Sequence, residues 1–487
     1  MKKKFSLILI FFIILSSLSF FCVSCNASLQ ELNLYVIDAE VDCEKGVIHA
    51  TEYFTYRHYF DEPVKELSFN LYANAYSKSA EHKQVLKSEE TDVYYKGIDY
   101  GNIELTGVTE NAEQLAYSID ETILTVSLDR ELFFGESVTV KFDFKVVIPY
   151  ANARLGIAEN GTINVSGWYP VLCARNGGEF YKSYVSPYGD PYFTDCADYR
   201  IKLTYDDEYV AACPGNVKNV YVDNGRNVIE SELYSARDFA FLLNDNYKVL
   251  TGEYENIKVN YFHYADETPD FTLSTAVESL KFYSELFGRY PYDTYTLAET
   301  ELNAGGMEFP SIVYISSTVS GDEREEVIAH ETAHQWWYGA VGSDNLNEAW
   351  QDEGLTEFST LLYMESKHGN EYYVKRISDA YRSYNMFKDI TLKVNPDAKF
   401  NMNKNASEYM SDYEYVNVTY VKGLLMFDTI YNLNKDKTLK ALKRYYNNCA
   451  YKIATADDLI ESFESQRLNI GVIIKNWING DTIMLTF

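Results

Sequence analysis

Histidine is scarce in this chain, with seven in 487 residues, so a metal site built on imidazole has few residues to draw on. Cysteine is equally sparse. Cys22 and Cys25 sit in the first 25 residues, and the remaining five (Cys43, Cys173, Cys196, Cys213 and Cys449) are dispersed, odd in number and without CxxC spacing. That pattern excludes a disulfide framework and a thiolate zinc knuckle. Cys173 with Cys196 is the best single bridge, and most of the five are expected as buried small apolar residues. Positive charge is also short: 43 Lys and Arg against 72 Asp and Glu leave a net charge of -29. So acidic a surface excludes nucleic acid and anionic lipid as partners and reads as a solvated, solubilising coat. After residue 23 no stretch has the length and apolarity to span a membrane. No internal repeat and no low-complexity linker divides the text.

What is present begins with a leader. Lys2-Lys3-Lys4 precedes an uncharged run from Phe5 to Val23, the layout of a secretory signal, so the mature protein is expected outside the cytoplasm. The run is long enough to serve as an uncleaved anchor instead. Cys25, after Val23-Ser24, stands where bacterial lipoprotein signals place their lipid-modified cysteine, although Cys22 occupies the usual leucine position. The preferred reading is a cell-envelope lipoprotein, exported and touching the membrane only through this leader or a lipid anchor.

From Glu31 to Asp245 short apolar or alternating runs recur, as in Leu34-Tyr35-Val36-Ile37, Val138 to Phe142, Tyr199 to Leu203 and Phe239 to Leu243. Glu159-Asn160-Gly161 and Asp223-Asn224-Gly225 punctuate them as hairpin turns. Strands at this spacing without helical patterns between them predict a mostly antiparallel β domain. Helical periodicity takes over after residue 248: Leu273, Ala276, Leu280, Tyr283 and Leu286 share a face over Phe271–Phe287, and Gly288 stops the helix. Three short helices, 436–450, 456–466 and 470–479, close the chain. The expected fold class is α+β in two parts after the leader (1–25): a β-rich domain over 28–248 and an α-rich catalytic domain over 249–487.

Chemistry concentrates in His330-Glu331-Thr332-Ala333-His334. On a helix, positions i and i+4 face the same way, so two imidazoles can grip one ion. Ser320-Gly321-Asp322-Glu323 offers a capping box, and no helix breaker interrupts Asp322 to Tyr338. A catalytic zinc takes three protein ligands and keeps one position for water. Glu353, with eighteen residues between it and His334, supplies the third on a second amphipathic helix that runs from Asn347 to Gly369. Glu357, one turn on, is placed to orient a ligand imidazole. Zinc so held is a Lewis acid, and Glu331 is placed as general base and then acid, which is the chemistry of amide hydrolysis. The other five histidines show no ligand spacing.

These residues resemble the aminopeptidase N family of zinc metallopeptidases, which also contains leukotriene hydrolases. The resemblance covers most of the chain from about residue 30. The family's Gly-x-Met-Glu-Asn motif appears as Gly305-Gly306-Met307-Glu308-Phe309, with Phe in place of Asn. It implies that Glu308 binds the free α-amine of a peptide, with Gly305, Gly306 and Met307 open to pair with it as an added strand. A Tyr-x-Lys-Gly pattern, Tyr420-Val421-Lys422-Gly423, implies that Tyr420 stabilises the oxyanion. Tyr413 and Tyr415 read as loop or core. The resemblance implies a thermolysin-like catalytic domain, one Zn2+ per chain, peptide substrates with a free N-terminus, and a cleft left open because no large C-terminal helical domain follows. The expected activity is that of a zinc aminopeptidase. Its rivals are a zinc endopeptidase of the same clan, an epoxide hydrolase like the leukotriene branch, and a catalytically silent binding protein.

Overall fold

Alternation of apolar and polar residues builds the first half. The computed structural model describes residues 31–176 and 178–480, so the leader and Cys25 lie outside the described residues. The described residues from Asn33 onward form one compact unit. In chain order, the principal strands of the first half are β1 (Asn33–Asp42), β2 (Val47–Arg57), β3 (Val64–Asn70), β4 (Asn102–Glu110), β5 (Ile123–Leu132), β6 (Ser137–Val147), β7 (Ala197–Asp206), β8 (Asn216–Asp223) and β9 (Arg226–Ala236). β6 shows the rule: Val138, Val140, Phe142, Phe144 and Val146 point inward and its Thr, Lys and Asp residues outward.

An eight-stranded sheet runs β8-β9-β7-β1-β2-β6-β4 and ends on Glu113–Gln114. Only β1 with β7 is parallel in it, as expected of hairpin-linked strands. The β8–β9 turn uses Asn224 and Gly225 at φ +50° and +79°, the left-handed pair that a two-residue hairpin requires. β3 and β5 belong to a four-stranded sheet whose buried face packs on the first through Phe54, Phe69 and Phe142. Trp168 and Tyr169, in an aromatic loop, are fully buried on that core. One inward position breaks the pattern: Glu52 of β2 is wholly buried and neither carboxylate oxygen has a hydrogen-bond partner.

After Asn244 a five-stranded sheet begins, comprising β10 (Lys248–Tyr254), β11 (Ile257–His263), β12 (Thr294–Thr300), β13 (Gly306–Met307) and β14 (Ile312–Ser316), in the order β10-β11-β12-β14-β13. Helices pack behind it: α1 (Pro269–Phe287), α2 (Gly321–Ala333), α3 (Glu353–His368), α4 (Asn370–Val394) and α5 (Lys422–Leu433), followed by Lys435–Cys449, Ala456–Glu464 and Gly471–Ile478. No helix of the described residues is long and apolar enough to cross a membrane.

Three local expectations are corrected. Ser320 begins α2 without a side-chain cap, so the capping box does not form; Arg324 holds that end by ion pairs to Asp266 (2.6 Å) and Glu299 (3.5 Å). α2 ends at Ala333 and not at Tyr338, because the chain turns back at Tyr338 (φ +120°). The second helix begins at Glu353, after a separate 3-10 turn at Ala349–Gln351. The Cys173–Cys196 bridge is also absent: all five described cysteines are buried free thiols.

Arg237 joins the sheets to the helices. It is fully buried, and its guanidinium donates to the carbonyls of Thr194, Tyr338, Ala340 and Lys452 at 2.6–3.2 Å. Gly342 lies against it so closely that a Cβ there would fall 2.3 Å from Cζ.

Candidate metal centre and cleft

The early end of α2 shapes the centre. Because the chain doubles back after His334, the Trp337 carbonyl reaches His334 Nδ1 at 3.0 Å. Asp352 Oδ1 meets the same nitrogen at 2.7 Å and Thr356 Oγ1 at 3.1 Å. With acceptors on Nδ1, that nitrogen carries the proton and Nε2 keeps its lone pair. Asn345 Nδ2 donates to Asp352 Oδ2 at 2.9 Å and holds the carboxylate in turn. His330 is oriented by Glu357, 3.3 Å from its Nδ1, and Glu357 by Arg376 at 2.9 Å.

The two freed Nε2 atoms and Glu353 Oε2 form a triangle with edges of 3.0, 3.4 and 3.3 Å. Ligands on one tetrahedral zinc, at bonds of about 2.0–2.2 Å, stand about 3.3–3.6 Å apart. Glu353 Oε2 is buried and accepts no hydrogen bond. Two facing imidazole lone pairs and an unpartnered carboxylate oxygen at that spacing are a donor set that fits zinc.

Tyr420 reaches the same carboxylate, its hydroxyl 2.5 Å from Glu353 Oε1. It sits in a single π-helical turn, Asn417–Val421, that leads into α5. Such turns recur at functional sites. α3 and α5 cross with backbone against backbone: a Cβ on Gly423 would lie 2.7 Å from Gly354 Cα. Lys422, fully buried, anchors the same turn by donating to Phe400 O and Trp477 O, both at 2.6 Å.

β13 is the edge strand of its sheet and runs past Glu331. A Cβ on Gly306 would meet Glu331 Oε1 at 2.5 Å, so only glycine leaves that carboxylate in place. Burial lifts Glu331 to about 7, against the opposing pull of the two imidazoles. Glu308 follows β13. It is buried, its Oε1 has no partner, and burial and then the nearby Asp190 hold its carboxyl well above the usual range. Glu308, Glu331 and His334 bring their ligand atoms within 4.8 Å of one another. Gln335 fixes this loop to the end of α2, donating to Phe309 O (3.2 Å) and accepting from Ser311 N (2.8 Å). Phe309 points away from the site into the core, against Tyr192 and Tyr314.

Two cavities meet at this centre. One, about 250 Å³, takes Glu308, Met307 and Tyr415 from the second half and Glu89, Arg154 and Asp190 from the first. The other, about 280 Å³, lies towards Val327, Met364 and Arg376. Gly306, His330, Glu331 and Tyr420 line both. A chain laid along β13 therefore passes from one cavity to the other across the metal triad.

The structure thus brings together all ten residues singled out from sequence, Glu357 included. Sequence reading missed Asp352, Gln335, Asp190 and the Gly354–Gly423 contact. Adjacency to Glu353 and His334 could have flagged the first two; Asp190, on a distant loop of the β-rich half and ion-paired with Arg154, carried no local signal. Tyr415, read as loop or core, is buried but lines the cleft.

Comparison with known proteins agrees with this geometry. Residues 271–477 match the peptidase family M1 domain. Aminopeptidase N of Lactobacillus helveticus is 24% identical over 302 residues, 58% of this chain and 35% of that protein. Endoplasmic reticulum aminopeptidase 1 of mouse is 23% identical over 55% of this chain and 30% of its own length. The chain therefore spans about a third of the length of these curated relatives. An M1 zinc metallopeptidase from Deinococcus radiodurans superimposes with a TM-score of 0.65 over 93% of this chain and 94% of its own, at 14% identity. A mutant of it has been solved with a Tyr-Ser-Ala substrate, with a TM-score of 0.64.

Proposed function

We propose that this chain, whose residues 271–477 match the peptidase family M1 domain, is a zinc-dependent aminopeptidase removing the N-terminal residue of peptides. His330, His334 and Glu353 hold the metal. Zinc, when bound by these three residues, would supply Lewis acidity towards a carbonyl and towards water. Glu331, beside the metal position, takes a proton from the attacking water and delivers it to the departing amine. The Tyr420 phenol donates to the developing oxyanion. Glu308 pairs with the substrate ammonium, which sets the cut at the first peptide bond. The free edge of β13 takes the peptide as an added strand.

The observation that carries this reading is buried Glu308, whose Oε1 has no partner, on the same cavity as the triad. An endopeptidase would have no use for it. The test is hydrolysis of aminoacyl-coumarins with free and N-acetylated amines, with and without chelator. Chelator-sensitive cleavage of the free amines alone is expected; equal turnover of both refutes an aminopeptidase. Lys2 to Cys25 supports export to the cell envelope as a lipoprotein, tested by metabolic labelling with a palmitate analogue in the wild type and in Cys25→Ser.

A further inference from the structure

The turn between β5 and β6 is built from the wrong residues for a solvent loop. Phe133-Phe134-Gly135-Glu136 closes with Glu136 N on Phe133 O at 2.9 Å, with Gly135 at φ +84°. Turn positions favour Gly, Pro, Asn, Asp and Ser. Here two phenylalanines occupy the tip, 56% and 58% exposed. Phe60 (39% exposed) and Tyr59, 6.1 Å from the Phe134 ring, extend the apolar surface. The turn is held firmly: Gly135 N donates to His58 O at 2.7 Å and His58 N to Glu136 O at 2.9 Å. Rigid, paired, exposed aromatics mark an interaction surface.

Register says where that surface lies. Arg57 pairs with Ser137, Leu34 with Thr55, and Arg57 N donates to Asn33 Oδ1 at 2.9 Å. The aromatic turn is therefore at the end of the sheet where the chain enters from its leader. Cys25 precedes Asn33 by eight residues, which span at most about 29 Å fully extended. The hairpin at the opposite end, Asp223-Asn224-Gly225, is polar, with Asp206 paired to Arg226 beside it.

We propose that Phe133 and Phe134, with Phe60, form a membrane-contact surface that inserts into the interfacial layer of a zwitterionic bilayer when the leader or its lipid holds the chain there. Aromatic rings suit that layer. Exposed Asp61, Glu62 and Glu131 outnumber Arg130, which is paired with Glu136 at 2.8 Å, and turn the tip away from anionic lipid. One anchor leaves a protein free to swing; a second contact fixes its orientation.

Tryptophan reports the contact cleanly, because all five native Trp (168, 336, 337, 350 and 477) are buried. The full chain carrying Phe134→Trp is incorporated into phosphatidylcholine vesicles, beside the same chain carrying Asn224→Trp. The expected result is blue-shifted emission for Phe134→Trp, strong quenching by brominated phosphatidylcholine and little by acrylamide. Asn224→Trp should show the reverse. Equal acrylamide access for the two, or failure of the full chain to stay with the vesicles, overturns the proposal. So does protection that persists in detergent together with dimers that Phe133→Ser/Phe134→Ser abolishes, since a second copy would then be the occupant.

Discussion

Gly423→Ala puts one methyl group at the crossing of α3 and α5. That methyl would lie 2.7 Å from Gly354 Cα, whereas carbon atoms in contact stand about 3.5–4.0 Å apart. The neighbouring atom is backbone, so the helices must part by about 1 Å. Tyr420, three residues earlier, moves with α5, and its 2.5 Å contact with Glu353 stretches to the edge of hydrogen bonding. A displacement of about 1 Å near reacting groups costs about 100-fold. Losing an oxyanion donor outright costs about 10²–10³ in kcat. Gly423→Ala should therefore lower kcat about 100-fold with KM nearly unchanged, because Glu308 is untouched. Tyr420→Phe should fall in the same range, and the double variant should be no worse than Tyr420→Phe alone. Steady-state hydrolysis of an aminoacyl-coumarin, with zinc content measured on each sample, provides the assay. Alanine also favours helix over glycine by about 1 kcal/mol, so if space existed the variant would gain stability. Full activity with a raised Tm would refute the close crossing as the device that positions Tyr420.

Glu331→Gln should keep stoichiometric zinc and lose about 10²–10⁴ in kcat; surviving turnover would place the base elsewhere. Asp352→Asn removes the best acceptor on His334 Nδ1 and should weaken zinc about 10–100-fold, read by competition with a chelator; unchanged affinity would assign the orientation to Trp337 and Thr356. Glu52→Met should stabilise the fold by roughly 1–3 kcal/mol near pH 8, because it removes a buried carboxyl without partners. Burial raises that carboxyl in the folded state, so the folded chain binds the extra proton. The contribution of Glu52 to stability is therefore greatest below about pH 4.3 and is lost as pH rises towards the folded pKa. The Tm gap between Glu52→Met and wild type should widen with pH, and a constant gap would count against a buried charge.

Much of the centre was legible because its spacing is helical. His330 and His334 declare themselves one turn apart, and Glu353 sits on the next amphipathic stretch. Element types followed from period: Phe271–Phe287 and β6 needed no tertiary information. What was not legible depends on contacts between distant segments. Nothing local says that α2 stops at Ala333, since the stop is set by the return of Trp337 to His334. Ser320 looks like a cap, but Arg324 with Asp266 and Glu299 occupies that end. Cys173 with Cys196 is the best single bridge the sequence offers, yet each is buried as a free thiol. Asp190 enters the cleft from a loop whose sequence is unremarkable.

Arg237 bears on how the molecule comes apart. Its four carbonyl partners come from three segments widely separated along the chain. If the helical half melted alone, the guanidinium would keep Thr194 and lose the other three, leaving its Nε and Nη2 donors without acceptors. Partial opening at this seam is therefore steeply disfavoured, and sheets and helices should melt in a single calorimetric transition. A protease that finds a nick in the exposed loops would then release no stable half.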